Sequence, residues 1–135
     1  MKKLLLFTVL SAMFLTSQAQ NILTTPLSWS VTQLNDLNTN ATMAYQCTFK
    51  TYGTQSMQWV QKKATTTLEV TSTSGTWTNV NANGKMVFKI SAEGETGSLT
   101  FEKSAVGTYI TIDLSQSGQT RLRQSYTVGS IVNGQ

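Results

Sequence analysis

The sequence predicts an all-β domain, a single small antiparallel meander closed into a barrel or folded over as a β-sandwich, with about eight or nine short strands. Three observations predict it. Apolar residues recur at every second position over most of the chain, which is the period of a half-buried strand. Gly and Asn interrupt these stretches at short intervals, as tight turns require. Thr is abundant, and its branched side chain favours strands. The sequence does not decide between barrel and sandwich.

The first residues predict export. Lys2 and Lys3 precede the apolar run Leu4–Leu15, and small residues follow as far as Ala19. This order is typical of a secretory signal peptide, and the run is shorter than the roughly 20 residues that a membrane-spanning helix needs. We therefore expect cleavage between Ala19 and Gln20, and a mature protein in the periplasm or the medium.

The predicted organisation is a signal peptide over residues 1–19 and one all-β domain over residues 20–135, a usual length for one domain. The only cysteine, Cys47, cannot form an internal disulfide, so packing alone must stabilise the domain. We interpret Cys47 as a small buried apolar residue. A reactive or intermolecular thiol is the alternative.

The alternating stretches define the strands in chain order. Pro26 precedes the first of them, where it removes no hydrogen bond from a sheet. The stretches are "LSWSVTQL", "TMAYQCTFKTY", "SMQWVQ", "TTLEVTST", "TWTNV", "KMVFKI", "SLTFEK", "TYITIDLS" and "TRLRQSYTV".

The breaks between them carry turn residues, namely "YGTQ", "TSGT", "NANGK", "EGETG", "AVG" and "SQSGQ". Asn83–Gly84 predicts a two-residue type I′ hairpin, because both central positions of that turn need positive φ. The short connections predict that successive strands pair antiparallel. For the last hairpin we predict that Ile112 lies opposite Leu122 and Asp113 opposite Arg121.

The composition excludes several chemistries. The chain has no His, which removes Ser-His-Asp triads and His-based metal sites. Glu93 and Glu95 share a predicted turn, and Asp36 lies among asparagines without the carboxylate density of a calcium loop. We therefore expect no enzymatic activity, no metal site and no cofactor. Net charge is +4, or +2 without Lys2 and Lys3, and we expect no nucleic-acid binding.

The aromatic residues are interpreted mainly as core. Trp59 is predicted to pair with Phe49 within one hairpin, and other rings could line a barrel mouth or groove that binds an apolar or sugar ligand. The surface candidates for ligand binding are Tyr52, Lys62, Lys63, Arg121 and Arg123.

These features favour a non-enzymatic exported binding protein, acting on a small apolar or sugar ligand or on a protein partner. "SWSVTQL" resembles the Trp-bearing first strand of lipocalins, and this resemblance implies a lipocalin-like architecture. "AYQCTF" and "TSGTW" resemble patches of small periplasmic lysozyme-inhibitor barrels, although the second cysteine common there is absent.

Two alternatives remain open. One is a structural, surface- or matrix-associated subunit that assembles edge to edge, which suits a sparsely charged, Thr-rich chain. The other is a very small outer-membrane barrel, for which the predicted strands are short. We expect no integral membrane segment in the mature chain, and the sequence does not predict an oligomeric state.

Overall fold

The last of eight antiparallel strands returns to pair with the first, which closes the sheet into a barrel. The computed structural model describes residues 21–133, so the predicted signal peptide and its cleavage site at Ala19 and Gln20 lie outside the described residues. The strands are β1 (Leu27–Asp36), β2 (Thr42–Thr51), β3 (Ser56–Gln61), β4 (Ala64–Thr76), β5 (Gly84–Ala92), β6 (Glu95–Ser104), β7 (Gly107–Gln116) and β8 (Gln119–Asn133). Over residues 21–133, no helix is long and apolar enough to cross a membrane.

The alternation of apolar and polar residues along the sequence is the cause of this fold. In β5, Met86, Phe88 and Ile90 are buried, whereas Lys85 and Lys89, at alternate positions, are exposed. Successive side chains of a strand point to opposite faces of the sheet. A closed sheet therefore places one set inside the barrel and the other in solvent. The all-β prediction is confirmed, and the barrel is the architecture adopted.

The two ends of the barrel differ. Three hydrophobic residues are buried although they lie outside the strands: Ile22 from the segment before β1, and Trp77 and Val80 from the loop between β4 and β5. All three lie at the end where β1 begins, which we call the covered end. The opposite end, which we call the open end, carries the turns that follow β1, β3, β5 and β7.

Aromatic side chains fill the interior. Trp29, Phe49, Phe88, Phe101 and Tyr126 are completely buried. The ring centroids of Trp29 and Phe101 lie 4.8 Å apart, and those of Phe49 and Tyr126 lie 5.4 Å apart. Eight-stranded barrels are just wide enough to be filled by their own side chains. The centre of this barrel is therefore a packed core.

The predicted pairing of Phe49 with Trp59 is confirmed. The two residues are direct partners between β2 and β3. Their rings are stacked, with centroids 5.6 Å apart and an angle of 7° between the planes. Directly opposite residues of an antiparallel pair bring their side chains together on one face, and here that face is the barrel interior.

Two turn predictions and one strand prediction are wrong. "TSGT" is not a turn but part of β4, which passes through Gly75 with φ of +92°. "TWTNV" is not a strand but the start of the loop that buries Trp77. The stretch at Asn83–Gly84 is not a hairpin turn, because Gly84 begins β5. A Cβ at position 84 would lie 2.2 Å from Cδ1 of Trp77, so this glycine makes room for the indole.

The predicted register of the last hairpin is also wrong. Leu122 lies opposite Leu114 rather than Ile112, and Asp113 lies opposite Arg123 rather than Arg121. A two-residue turn, Ser117–Gly118, connects the strands, and both of its φ angles are positive. If the register next to this turn continued, inward-facing residues of β7 would lie opposite outward-facing residues of β8. A bulge between Leu114 and Ser115 shifts the register, so that residues of the same face lie opposite each other.

Candidate functional site

A groove on the side of the barrel, which we call the side groove, has a volume of about 550 Å³. It crosses β1, β2 and β3 towards the open end. Pockets for small ligands commonly have volumes of roughly 300–1,000 Å³. The lining residues are Ser30, Val31, Thr32, Gln46, Cys47, Thr48, Val60, Gln61 and Lys62.

The local strand pattern accounts for the groove. β1 has a bulge between Val31 and Gln33, where its register with both neighbouring strands shifts. Bulges bend a strand and increase its twist. β3 also ends at Gln61, and its pairing with β2 extends only as far as Thr48 opposite Val60. Beyond this point the first half of β2 and the end of β3 separate, which opens the wall of the barrel.

Hydrogen-bonding side chains gather behind the groove, in a group that we call the polar cluster: Tyr45, Cys47, Trp59, Gln61, Gln124 and Tyr126. The Nε2 amide of Gln61 donates to the Tyr45 hydroxyl at 2.7 Å, which joins β3 to β2 where their backbones no longer pair. The Tyr126 hydroxyl donates to Oε1 of Gln124 on the same strand. Gln61 and Cys47 belong both to this cluster and to the groove lining.

Burial controls the protonation of two members of the cluster. It raises the pKa of the Cys47 thiol from 9.0 to about 11, and the neighbouring Trp59 side chain offsets part of that rise. It also raises the pKa of Tyr126 far above its ordinary range, and Cys47 and Tyr45 raise it further. Desolvation disfavours the charged form of each group. Both therefore remain neutral hydrogen-bonding groups at physiological pH.

The Trp59 indole is the unusual member of the cluster. Its Nε1 is buried and has no hydrogen-bond partner within bonding geometry, and the side chain as a whole is only 9 % exposed. The indole N–H can only donate, and a buried donor without an acceptor costs about 1–3 kcal/mol. The Cys47 thiol, a weak acceptor that also lines the groove, interacts with this side chain but not in normal hydrogen-bond geometry.

Two further depressions are less suited to an amphipathic ligand. One, of about 540 Å³, crosses β4 to β7 and is lined mainly by hydroxyl groups with Lys89 and Asp113. Asp113 already pairs with Arg123. The other, beside the loop after β4, holds about 190 Å³ and is smaller than usual ligand pockets.

The candidate residues predicted from the sequence do not form one surface. Lys62 lines the side groove, and Lys63 follows it in the exposed turn after β3. Tyr52 lies at the covered end, where its hydroxyl is 3.5 Å from Oε1 of Gln58. Arg121 and Arg123 lie on β8 at the open end.

Both arginines are already engaged in ion pairs on the outer surface. Nε of Arg121 lies 3.6 Å from a Glu95 carboxylate oxygen, and Nε of Arg123 lies 3.4 Å from one of Asp113. Within the described part of the chain, neither Lys62 nor Lys63 has such a pair. Of the five candidates, Lys62 is therefore the one that the structure brings to the groove.

Sequence reasoning missed the polar members of the site. Gln61 and Gln124 occupy inward-facing positions near the open end, where apolar residues are the norm. A Gln at an inward-facing position of a strand indicates a polar site inside the barrel, but the position can be recognised as inward-facing only once the register is known. The partner of Gln61 is Tyr45 on the neighbouring strand, which only the tertiary structure brings close. The partner of Gln124 is Tyr126 on the same strand.

Residues 21–133 contain no group of three or more His, Cys, Asp or Glu side chains that could hold a metal ion. The predicted absence of a metal site, a cofactor and catalysis stays a prediction. Comparisons with protein-family models, with curated proteins and with solved structures each found no match to this chain.

Proposed function

We propose that this protein is an exported, non-enzymatic binding protein that holds a small, mainly apolar ligand bearing an oxygen acceptor in the side groove. The observation that carries the proposal is the buried Trp59 N–H, which has no acceptor in normal hydrogen-bond geometry and interacts only weakly with the Cys47 sulfur in the groove wall. Buried polar groups in proteins nearly always have partners. A ligand oxygen reaching past Cys47 would supply one.

The chemistry of the lining defines the ligand class. Val31 and Val60 offer apolar contact, and Gln46 and Gln61 offer amide groups. Lys62 is the only charged residue of the lining, so a carboxylate or a carbonyl oxygen fits better than a cationic group. This combination of apolar walls with a few polar groups is typical of small-molecule sites.

A sugar is the less suitable ligand. Saccharides are usually held against an exposed aromatic face, and no aromatic residue lines this groove. One face of Trp59 is covered by Phe49 in a nearly parallel stack, and little of its side chain reaches solvent. We therefore favour the apolar ligand over the saccharide.

The test is a titration with anilinonaphthalene sulfonate, an apolar anionic probe with sulfonate oxygens, followed by fluorescence. Thr48→Tyr fills the side groove with a large uncharged side chain, and Ser98→Tyr does the same to the groove across β4 to β7. Both positions are half-buried, so the variants are matched. We expect saturable binding that weakens roughly tenfold, or about 1.4 kcal/mol, in Thr48→Tyr only. Absence of saturable binding, or equal loss in both variants, would overturn the proposal.

Export and the absence of catalysis belong to the same proposal and rest on the sequence. The supporting features are the leader-like residues 1–19 and a chain without His. Intact-mass measurement of protein recovered from outside the cytoplasm tests the first. A mass that includes residues 1–19 would contradict it.

A further inference from the structure

β3 is much shorter than the strands on either side of it. It has 6 residues, whereas β2 has 10 and β4 has 13. Its pairing with β4 runs from Gln61 opposite Ala64 to Ser56 opposite Glu69. One more backbone bond, from Val70 N–H to the Gln55 carbonyl, follows. Among the described strands, none covers the β3 side of β4 after that point.

The uncovered part of β4 is Thr71–Thr76, which we call the free edge. Every one of its residues is exposed. On its other side it is paired with β5, from Ser72 opposite Lys89 to Thr76 opposite Lys85, so it is held as a strand. Its sequence, "TSTSGT", contains neither charge nor proline. Charges, prolines, bulges and coverage by loops are the usual means by which proteins protect such an edge, and of these the edge has a bulge at its start, between Val70 and Ser72.

We propose that the free edge is an interaction surface for a second copy of this chain, paired antiparallel with the same segment about a two-fold axis near Thr73. In such a pair Ser72 of one copy lies opposite Ser74 of the other, and every directly opposed residue is small and uncharged. Cross-strand pairs of Thr and Ser are favourable. The pairing satisfies backbone groups on both copies with one self-complementary surface.

The charges flanking the edge favour this partner and this direction. Glu69 is exposed immediately before the free edge, and Lys85 is exposed on β5 beside its last residue, Thr76. Antiparallel pairing brings the Glu69 end of one copy to the Lys85 end of the other, at both ends of the contact. A parallel pairing would instead place the two Glu69 side chains on the same side.

The corresponding uncovered part of β2 is better protected. β3 also leaves the first half of β2 without a backbone partner on that side, but the Tyr45–Gln61 hydrogen bond bridges the gap. Lys62 and Lys63 lie in the adjacent turn, and lysines often prevent a sheet edge from pairing with another strand. This difference selects β4 as the interface and predicts a closed dimer rather than a fibre.

The inference is independent of the ligand site, since the free edge and the side groove lie on different strands. It is tested by sedimentation velocity on the mature chain from roughly 1 μM to roughly 1 mM. Thr73→Lys places a charge on the free edge. Thr65→Lys is the control for an added charge on this strand, because Thr65 is also exposed but is covered by β3, opposite Val60. We expect a concentration-dependent dimer whose dissociation constant rises at least roughly tenfold in Thr73→Lys only.

A crosslink keeps the test decisive if the lysine variant does not fold. In the proposed dimer, position 73 of one copy lies beside position 73 of the other, within the Cα separation of roughly 4.4–6.8 Å that a disulfide needs. Thr73→Cys would therefore allow a disulfide between the two copies. We expect mild oxidation to give a disulfide-linked dimer in Thr73→Cys and none in Thr65→Cys. A wild-type monomer throughout the concentration range, or a dimer insensitive to Thr73→Lys and not crosslinked through position 73, would overturn the proposal.

Discussion

The indole nitrogen of Trp29 donates a hydrogen bond of 3.1 Å to the Thr51 hydroxyl, and both side chains are completely buried. Trp29 is on β1 and Thr51 ends β2, where Leu27 lies opposite it. The bond satisfies two polar groups inside an otherwise apolar core. It lies near the covered end, whereas Trp59 near the open end lacks an equivalent acceptor.

Removal of this acceptor should destabilise the barrel. Thr51→Val keeps the shape of the side chain but leaves the Trp29 N–H buried and unsatisfied, so we expect a loss of about 1–3 kcal/mol in the free energy of unfolding. Urea denaturation measures it. Thr51→Ser, which keeps the hydroxyl, should lose about 1 kcal/mol through its missing methyl group. Equal stability of Thr51→Val and wild type would contradict the assignment.

Gly84 should tolerate no side chain while Trp77 is present. A Cβ at position 84 would overlap the indole ring, so we expect Gly84→Ala to cost about 1–3 kcal/mol by overpacking. A double-mutant cycle with Trp77→Ala isolates the cause, because the cost of Gly84→Ala should shrink when the ring is absent. An unchanged cost in that background would show that the glycine is required for its backbone instead.

Stability should decline at alkaline pH in a manner that depends on Cys47. The folded-state pKa of about 11 lies above the ordinary value of 9.0. The neutral thiol thus contributes stability that is complete below pH 9.0 and is lost as pH rises towards 11. We expect the urea midpoint to fall over this window, and to fall less steeply in Cys47→Ala. Parallel pH profiles for the two proteins would contradict a role for the thiol.

Reactivity of Cys47 offers a separate measurement. The buried, protonated thiol should react slowly with iodoacetamide at neutral pH, because the thiolate is the nucleophile. Unfolding in urea should accelerate the reaction. Rapid alkylation of the native protein, monitored by mass spectrometry, would show that the thiol is exposed or ionised.

The Arg123–Asp113 pair should contribute little. Its side chains are 52 % and 41 % exposed, and exposed pairs typically contribute less than about 1 kcal/mol. We expect Arg123→Gln to change the free energy of unfolding by no more than about 0.5 kcal/mol, with less effect at high salt. A loss well above 1 kcal/mol, measured by urea denaturation, would mean that the arginine has a further partner.

The register of the last hairpin shows how far sequence reasoning extends. The alternation of "TYITIDLS" and "TRLRQSYTV" correctly predicts two strands with apolar and charged faces, because the period is local. The partner of Asp113 depends on the bulge at Leu114 and on the length of the turn. Neither leaves a clear mark in the sequence, since several registers pair apolar with apolar and charge with charge.

Gly84 and Gly75 show the same limit of prediction from sequence, here for turns. Both lie in stretches that the sequence predicts to be turns, because Gly is common in turns. Gly84 instead accommodates the Trp77 ring, and Gly75 continues a strand with positive φ. A glycine indicates that a side chain is not accommodated or that φ is unusual. Which of these holds depends on neighbours that are distant in sequence.

The residues alone predict that the domain is all-β, that its strands pair antiparallel in order, and which face of most strands is apolar, because these follow from a two-residue period and short connections. The closure of the sheet, the failure of the short β3 to cover its neighbours, and the meeting of Cys47, Trp59 and Gln61 beside a groove emerge only in the folded chain. Those features depend on register, bulges and strand length, which are settled when all eight strands satisfy one closed set of hydrogen bonds together.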